Sequence, residues 1–269
     1  MSFYVEITFQ KVHSFNATIY LMQRYKFTVE YNGTPYVGWQ RQNNGLAVQQ
    51  CIEEAIYKFC QTKVSLCVAG RTDAGVHALG QAFHVDLPVD LRADKIRKAI
   101  NYYLENELVS IVDGEKVDES FHARFSATKR HYMYRIINRP AKLAVEKNLA
   151  WHVPLKLDTD AMQEGAKHLL GTHDFSTFRA SHCQANSPVR TLDRIEIIKD
   201  GVDIRIYVEA LSFLHHQVRN IVGTLYAVGL GKWTSDDVKT ALDAKDRCKG
   251  GQTAPPEGLY LTKVVYGNR

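Results

Sequence analysis

Hydrophobic and polar positions alternate over residues 25–31, where the odd-numbered residues from Tyr25 to Tyr31 are all aromatic or aliphatic. A period of two predicts a strand with one buried face. Apolar residues recur at helical spacing over 47–60 and again between Ile96 and Leu104, so both segments are predicted as amphipathic helices. Three more strands are predicted in this half, at 64–69, 81–87 and 108–112.

The second half of the chain also combines apolar residues at helical spacing with the alternation that is typical of strands. Met162 to Leu170 predicts a helix that ends at Gly171, and the apolar spacing from Leu214 to Leu225 predicts a longer helix. Thr234 and Asp237 have the spacing of a capping box at the start of a further helix. Strands are predicted at 131–136, at 192–199 and 203–209 with a tight turn between them, and from residue 259.

The predicted hairpins place antiparallel strands side by side, which favours an α+β fold over a doubly wound parallel sheet. We predict two related α/β halves with mostly antiparallel strands, the first over residues 22–120 and the second over 121–269. No linker rich in Pro or Ser separates them, so we expect the halves to pack closely. Residues 1–21 match neither half and are predicted to be an atypical N-terminal extension, with Met22 a candidate natural start.

The composition excludes several classes of protein. Of 269 residues, 45% are hydrophobic and 23% are charged, which excludes a disordered chain, a collagen-like fibre and a coiled coil. The longest run without a charged side chain has twelve residues. A membrane helix needs about 20 mainly apolar residues, so no membrane partner is expected. The net charge of +5 permits an anionic partner, and five cysteines without a C-x-x-C spacing indicate reduced thiols in the cytoplasm.

A segment without acidic residues extends from Ser120 to Val145 and alternates cations with aromatic rings. Phosphates attract Lys and Arg, and an unstacked base fits an aromatic face, so the segment predicts contact with nucleic acid. A strand whose basic face is simply solvated would show the same pattern. The bases are Arg124, Lys129, Arg130, Arg135, Arg139 and Lys142, and the aromatic residues are Phe121, Phe125, Tyr132 and Tyr134.

The best candidate for chemistry is the glycine-flanked stretch from Gly70 to Ala78. An aspartate in such a turn, here Asp73, stays ionised beside Arg71 and can act as a nucleophile or a base. The alternative is a structural Asp73 that caps the turn and pairs with Arg71. His215 and His216 are adjacent in a predicted helix and would point in different directions, so no metal site is predicted.

Seven motifs, taken in order, resemble the tRNA pseudouridine synthase A family and span roughly residues 23–266. The motifs are Glu30-Tyr31-Asn32-Gly33, Gly38-Trp39-Gln40-Arg41-Gln42, the Gly70–Ala78 stretch, Phe121-His122-Ala123-Arg124-Phe125-Ser126-Ala127-Thr128 with the Tyr132-x-Tyr134 after it, Asp174-Phe175-Ser176-Thr177-Phe178-Arg179-Ala180, Val218-Arg219-Asn220-Ile221-Val222-Gly223 and Glu257-Gly258-Leu259-Tyr260-Leu261. The chain departs from the family in residues 1–21 and at Gln217, where the resemblance leads us to expect Met.

The resemblance implies a cofactor-free isomerase that converts uridines at positions 38, 39 and 40 of the tRNA anticodon stem-loop to pseudouridine, with flipping of the base. Asp73 matches the family's essential aspartate, which attacks either C6 of uracil or the sugar. Tyr132 matches the tyrosine that stacks on the target base. Arg71 resembles the arginine that supports flipping, and Arg219 the arginine that pairs with the aspartate. The implied fold joins the sheets of the two halves into one, with the active cleft between them.

The resemblance further implies a homodimer in which one tRNA touches both subunits. Within the acid-free segment, Arg124, Lys129 and Arg130 are predicted to contact RNA. Two other functions are compatible with the residues: a non-catalytic RNA-binding protein that kept the fold, and a hydrolase that uses Asp73. A glycoside hydrolase needs a second carboxylate nearby, and none flanks the Asp73 stretch.

Overall fold

The structure is a computed structural model that describes residues 11–14, 17–20, 22–181 and 183–267. Its internal contacts divide the chain into two units. The N-terminal unit contains the described residues up to Ala74 together with Ala78–Ala127. The C-terminal unit contains Gly75–His77 and the described residues from Thr128 onward. The predicted halves meet at residue 120, and the two units of the structure divide a few residues later, after Ala127.

The strands of the N-terminal unit are antiparallel. Strand β3 (Gln23–Tyr31) lies between β5 (His77–Leu87) and β6 (Val109–Lys116), and the short β4 (Cys67–Val68) pairs with β5. Two helices, α1 (Val48–Cys60) and α2 (Ala93–Tyr103), bury their apolar sides. The aromatic rings on the inner face of the sheet are fully buried, and apolar area removed from water is the main favourable term in folding.

The C-terminal unit has a larger set of strands and three α-helices. The spatial order is β12, β7, β11, β10, β9, and β8 pairs in parallel with β7. The strands are β7 (Ala127–Asn138), β8 (Trp151–Val153), β9 (Gly171–Asp174), β10 (Val189–Asp200), β11 (Asp203–Ala210) and β12 (Leu259–Tyr266). The α-helices are α3 (Thr159–Lys167), α4 (Gln217–Gly229) and α5 (Ser235–Ala244).

The predicted α+β class with mostly antiparallel strands is confirmed. The capping box is also confirmed, since the Thr234 hydroxyl accepts from the backbone N–H of Asp237, whose carboxylate accepts from Thr234. The strand predicted over 64–69 is wrong in extent, because the backbone N–H of Leu66 donates to Glu53 on α1 instead of to a neighbouring strand. Strands β8 and β9 are too short for a period of two to show in the sequence.

The predicted N-terminal extension, residues 1–21, lies largely outside the described residues. Within it, Lys11–Ser14 (β1) and Ala17–Tyr20 (β2) pair as a small antiparallel sheet. Among the residues that the structure describes, no helix is long and apolar enough to cross a membrane.

Candidate active site

Asp73 lies in a loop between β4 and β5 that a neighbouring loop holds in place. Gly38 and Asp73 form an isolated antiparallel bridge, and the backbone N–H of Trp39 donates to the Thr72 carbonyl at 3.0 Å. Gly38 has a φ of +110°, and a Cβ there would lie 2.7 Å from the Thr72 carbonyl oxygen. Only glycine combines that backbone angle with so close an approach, so Gly38 is required for the contact.

Side chains fix the same loop from within the N-terminal unit. The hydroxyls of Tyr31 and Thr72 share a hydrogen bond of 2.7 Å, and both side chains are buried. The Gln81 amide donates to the Gly70 carbonyl at 2.6 Å. The carboxylate of Asp73, which is half-buried, is therefore presented by a backbone that is anchored both before it and beside it.

The residues that follow Asp73 are anchored in the C-terminal unit. Gly75 has a φ of +77°, and a Cβ on it would lie 3.1 Å from the Pro256 ring. The His77 ring is buried and stacks on Tyr260, with ring centroids 4.6 Å apart. Burial lowers the pKa of His77, so this imidazole stays neutral near pH 7.

Arg71 does not pair with Asp73. The Arg71 side chain is exposed, and it forms no hydrogen bond or ion pair with any residue that the structure describes. The pairing of Asp73 with Arg71, which both the catalytic and the structural interpretation of the sequence assumed, is therefore not what the loop adopts. The guanidinium of Arg71 remains available for an anionic partner.

Tyr132 lies on β7 in the C-terminal unit and is 9% exposed. Its ring meets the edge of the Phe213 ring, with centroids 5.1 Å apart. Tyr134, two residues further along the same face, is fully buried, and its hydroxyl donates to the Pro255 carbonyl at 2.7 Å. Burial raises the pKa of Tyr134 well above its ordinary value. The Tyr134 hydroxyl therefore stays protonated and has a structural role.

Arg219 lies on the first turn of α4, in the same unit as Tyr132. Its Nε donates to the Ala254 carbonyl at 2.8 Å, while the Ala254 N–H donates to the Arg219 carbonyl at 3.1 Å. Its positive charge acts against burial and lowers the pKa of the Tyr134 phenol. A cation held in this way at the start of an apolar helix is pre-oriented for a carboxylate or a phosphate.

The segment before Arg219 differs from the sequence prediction. The helix predicted from Leu214 begins only at Gln217, because His216 adopts a left-handed φ of +61° and Gln217 Oε1 accepts from the Leu214 N–H at 2.8 Å. The expectation that His215 and His216 point apart is wrong, since their rings lie 4.0 Å from each other. Gln217 Nε2 is buried without a partner among the described residues.

The three residues predicted to bind RNA have different surroundings. Arg124 is exposed, and its guanidinium lies 5.6 Å from the centroid of the Phe125 ring. Lys129 forms ion pairs with Asp193 and Glu209 at 3.2 Å and 3.8 Å. Arg130 is 8% exposed and donates to the Leu211 carbonyl.

A cluster in the N-terminal unit has the residue types of a metal site but not its hydrogen bonding. Donor atoms of Cys67, His84 and His122 all lie within 4.8 Å of one another. However, His84 Nδ1 accepts from the Ala123 N–H at 3.1 Å, and His122 Nδ1 accepts from the Arg124 N–H at 3.2 Å. A histidine that ligates through Nε2 needs Nδ1 as a donor, so these residues do not fit a metal ion.

Several residues that shape the site were not identified from the sequence. Gly38 and Trp39 were part of a motif, but nothing in the pattern showed that they bridge to the Asp73 loop. Phe213, which contacts Tyr132, gave no signal apart from lying in an apolar stretch. Long-range backbone contacts such as that between Ala254 and Arg219 have no local sequence signature.

The sequence of this chain is similar to those of known proteins over most of its length. The family described as tRNA pseudouridine synthase matches residues 27–126 and 166–267, which include parts of both units. The chain belongs to the tRNA pseudouridine synthase family. Within it, the chain is 58% identical to the tRNA pseudouridine synthase A of Paramagnetospirillum magneticum over 245 residues, 91% of this chain and 96% of that protein. It is also 58% identical to the tRNA pseudouridine synthase A of Brucella anthropi over 247 residues, 91% of this chain and 98% of that protein. A crystal structure of a Cbf5-Nop10-Gar1 complex aligns with a TM-score of 0.36 and 13% identity over 88% of this chain and 49% of that one, too distant to support an inference.

Proposed function

We propose that this chain is an isomerase that converts uridines 38, 39 and 40 of the tRNA anticodon stem-loop to pseudouridine without a cofactor. The observation that carries the proposal is Asp73, a half-buried carboxylate on a loop whose backbone is anchored on both sides. The chain's membership of the tRNA pseudouridine synthase family and its identity to proteins named tRNA pseudouridine synthase A support the choice of substrate.

The reaction balances within one nucleotide. The bond between C1′ and N1 breaks, the uracil turns, and a new bond forms between C1′ and C5. N1 takes up a proton and C5 releases one, so no oxidant or second substrate is needed. A uridine in a stem must first leave the helix, which costs a few kcal/mol of stacking and pairing. A carboxylate that is already fixed in position attacks without further loss of conformational freedom.

Each remaining site residue has a proposed role. Asp73 is the nucleophile, at C6 or at the sugar, and Arg219 pairs with it. Tyr132 stacks on the flipped uracil, and the Phe213 ring, in edge contact with Tyr132, supports it. Arg71, which is exposed, supports the extruded nucleotide. Arg124, Lys129 and Arg130 are proposed to contact the RNA, and the last two must first exchange their present partners.

Release of tritium from C5 of uracil in a tRNA transcript tests the proposal directly. The wild-type chain should release it, and Asp73→Asn, which keeps the shape of the side chain, should lower the rate by roughly 10²- to 10⁴-fold. Affinity for tRNA should stay within about tenfold of wild type, because phosphate contacts dominate it. Substitution of an exposed carboxylate elsewhere in the same unit, Glu105→Gln, is the matched control and should leave the rate unchanged.

The two alternative functions give different results in this assay. A non-catalytic RNA-binding protein would bind the transcript but release no tritium from either the wild type or the variant. A hydrolase would liberate free uracil or cut the RNA. A joint loss of turnover and affinity in Asp73→Asn would indicate a structural aspartate.

The assembly and location of the chain are part of the proposal. We propose a homodimer, as the resemblance to the family implies, and a location in the cytoplasm, as the five cysteines without a C-x-x-C spacing indicate. Sedimentation equilibrium of the purified chain, with and without tRNA, measures the oligomeric state. Fractionation of the native host measures the location. A monomer in complex with tRNA would contradict the dimer.

A further inference from the structure

The aromatic residues of the acid-free segment differ sharply in exposure. Tyr134 is fully buried and Tyr132 is 9% exposed, whereas Phe125 is 69% exposed. An exposed phenyl ring is unremarkable on a mobile loop, where it can fold back onto the surface. Phe125 has no such freedom, because the turn that carries it is held at several points within the N-terminal unit.

The turn is fixed by the His122 side chain and by its neighbours. His122 Nδ1 accepts from the backbone N–H groups of Arg124 and Phe125, at 3.2 Å and 3.4 Å. The His122 backbone N–H donates to the Ser126 hydroxyl at 3.0 Å, and the Ser126 N–H donates to the His122 carbonyl at 2.8 Å. Ala123, between them, is buried and donates to His84. The backbone of Phe125, and with it the direction in which its side chain leaves the turn, is therefore fixed.

The ring also has the neighbours of a stacking surface. The His122 ring lies against it with centroids 4.4 Å apart and a tilt of 34°. The Arg124 guanidinium lies 5.6 Å from the ring centroid and is itself exposed. With 69% of the residue exposed, most of the Phe125 surface is open to solvent despite these two neighbours.

We propose that Phe125 is a second stacking site for an unpaired base of the tRNA, separate from the nucleotide that reacts, with Arg124 binding the adjacent phosphate. An aromatic face accepts any base, and a guanidinium beside it adds charge attraction to the backbone. The rigid turn means that little conformational entropy is lost on binding. This inference rests on the proposed tRNA substrate, and it adds a contact that positions RNA without entering the chemistry.

Affinity for an unmodified tRNA transcript, measured by fluorescence anisotropy at fixed salt, tests the site. Phe125→Ala and Phe125→Leu should each weaken binding by roughly 5- to 150-fold, the span that base stacking covers. Phe125→Trp should bind at least as tightly as wild type, and tRNA should quench the indole that it introduces. Tritium release at saturating tRNA should be unchanged in all three variants.

The leucine variant separates stacking from simple apolar contact, because Leu keeps most of the hydrophobic area and lacks the π system. Val145→Ala, at another exposed apolar position of the acid-free segment, is the matched control and should bind like wild type. Unchanged affinity in Phe125→Leu would overturn the proposal. So would a change of oligomeric state in Phe125→Ala, seen by sedimentation, because the ring would then belong to a protein contact.

Failure of this inference and failure of the proposed function are distinguishable. A wild-type chain that binds tRNA without releasing tritium overturns the proposed function. The tRNA affinities of the Phe125 variants then still decide whether the stacking site exists. A chain that releases tritium normally while Phe125→Ala and Phe125→Leu bind as wild type overturns only the stacking site. A chain that does not bind tRNA overturns both.

Discussion

At the scale of single residues, the buried imidazole of His84 contributes to the shape of the turn that carries Phe125. The imidazole is 5% exposed, and its Nδ1 accepts from Ala123, next to the Phe125 turn. Burial lowers the pKa of His84 to about 4, and the charges of Arg24 and His122 act in the same direction. Protonation at Nδ1 would remove the acceptor that Ala123 uses, so the neutral ring is part of the fold.

Because the pKa of His84 is lowered in the folded protein, the free energy of unfolding depends on pH. In the unfolded chain the imidazole has its ordinary pKa near 6.5, so between pH 6.5 and about 4 the unfolded state binds more protons than the folded state. Stability is therefore full above pH 6.5 and should fall by roughly 3 kcal/mol as the pH drops to 4, at about 1.4 kcal/mol per pKa unit. Urea unfolding at pH 7 and pH 4.5 measures the loss.

A His84→Asn variant isolates this contribution. The amide oxygen of Asn can accept from Ala123 but does not titrate, so the variant should lose less stability than wild type between the two pH values. Groups distant from His84 titrate equally in both chains and cancel in the comparison, so the difference belongs to His84 together with its coupled neighbours Arg24, Asp86 and His122. An equal loss in the two chains would show that His84 is not the cause.

Single residues also show which contacts the sequence alone does not predict. Lys129, Arg130 and Arg135 belong to a segment without acids, yet Lys129 pairs with Glu209 and Arg135 with Asp203 across the β7–β11 ladder. The register of a sheet brings together residues far apart in the chain, and charge counted along the sequence does not contain that information. Exposed Arg124 and Phe125 could not be distinguished from buried Arg130 and Tyr134 for the same reason.

At the scale of elements, periodicity predicted the helices α1 and α2 well, because each has a continuous apolar face, and the capping box predicted the start of α5. The predicted end of α3 at Gly171 is wrong, since the helix ends at Lys167 and Gly171 belongs to β9. The start of α4 was misplaced, since a left-handed His216 interrupts an apolar spacing that looks continuous. The Asp73 loop was identified as a glycine-flanked turn. Its assignment as a catalytic element came from the resemblance, because an aspartate in such a turn is ordinary by itself.

The bridge between the Gly38 loop and the Asp73 loop leads to a prediction about activity. Gly38→Ala would place a Cβ 2.7 Å from the Thr72 carbonyl oxygen, at a φ that Ala adopts poorly, and should displace the Asp73 loop. We expect turnover at saturating tRNA to fall at least about tenfold, since small errors in position cost rate. Affinity for tRNA should change little.

Gly201→Ala is the control for backbone strain at a positive φ without a close contact of the new Cβ. Gly201 also has a positive φ, but no atom lies within 4 Å of the Cβ that it would gain, and it occupies the turn between β10 and β11. This variant should lose some stability and keep its turnover. If both glycine variants lost turnover equally, general destabilisation would explain the effect and the bridge would have no special role.

At the scale of the whole molecule, charge predicts how binding responds to salt. With a net charge of +5 and exposed cations such as Arg124, the chain should bind tRNA less tightly as salt increases, in a linear log–log relation. Arg124→Gln should reduce that slope by about 1. Lys129→Gln should reduce it less, because two carboxylates already neutralise Lys129. A salt-independent affinity in the wild type would contradict a phosphate-binding surface.

The order in which the chain is synthesised has a consequence for the Asp73 loop. His77 stacks on Tyr260, a residue that leaves the ribosome roughly 180 residues later, or about 10–40 s at typical elongation rates. Until then the second anchor of the loop does not exist. A nascent or prematurely terminated chain can therefore fold much of its N-terminal unit while the Asp73 loop is held from one side only. If Asp73 has the proposed catalytic role, full activity requires that translation has reached Tyr260, close to the end of the chain.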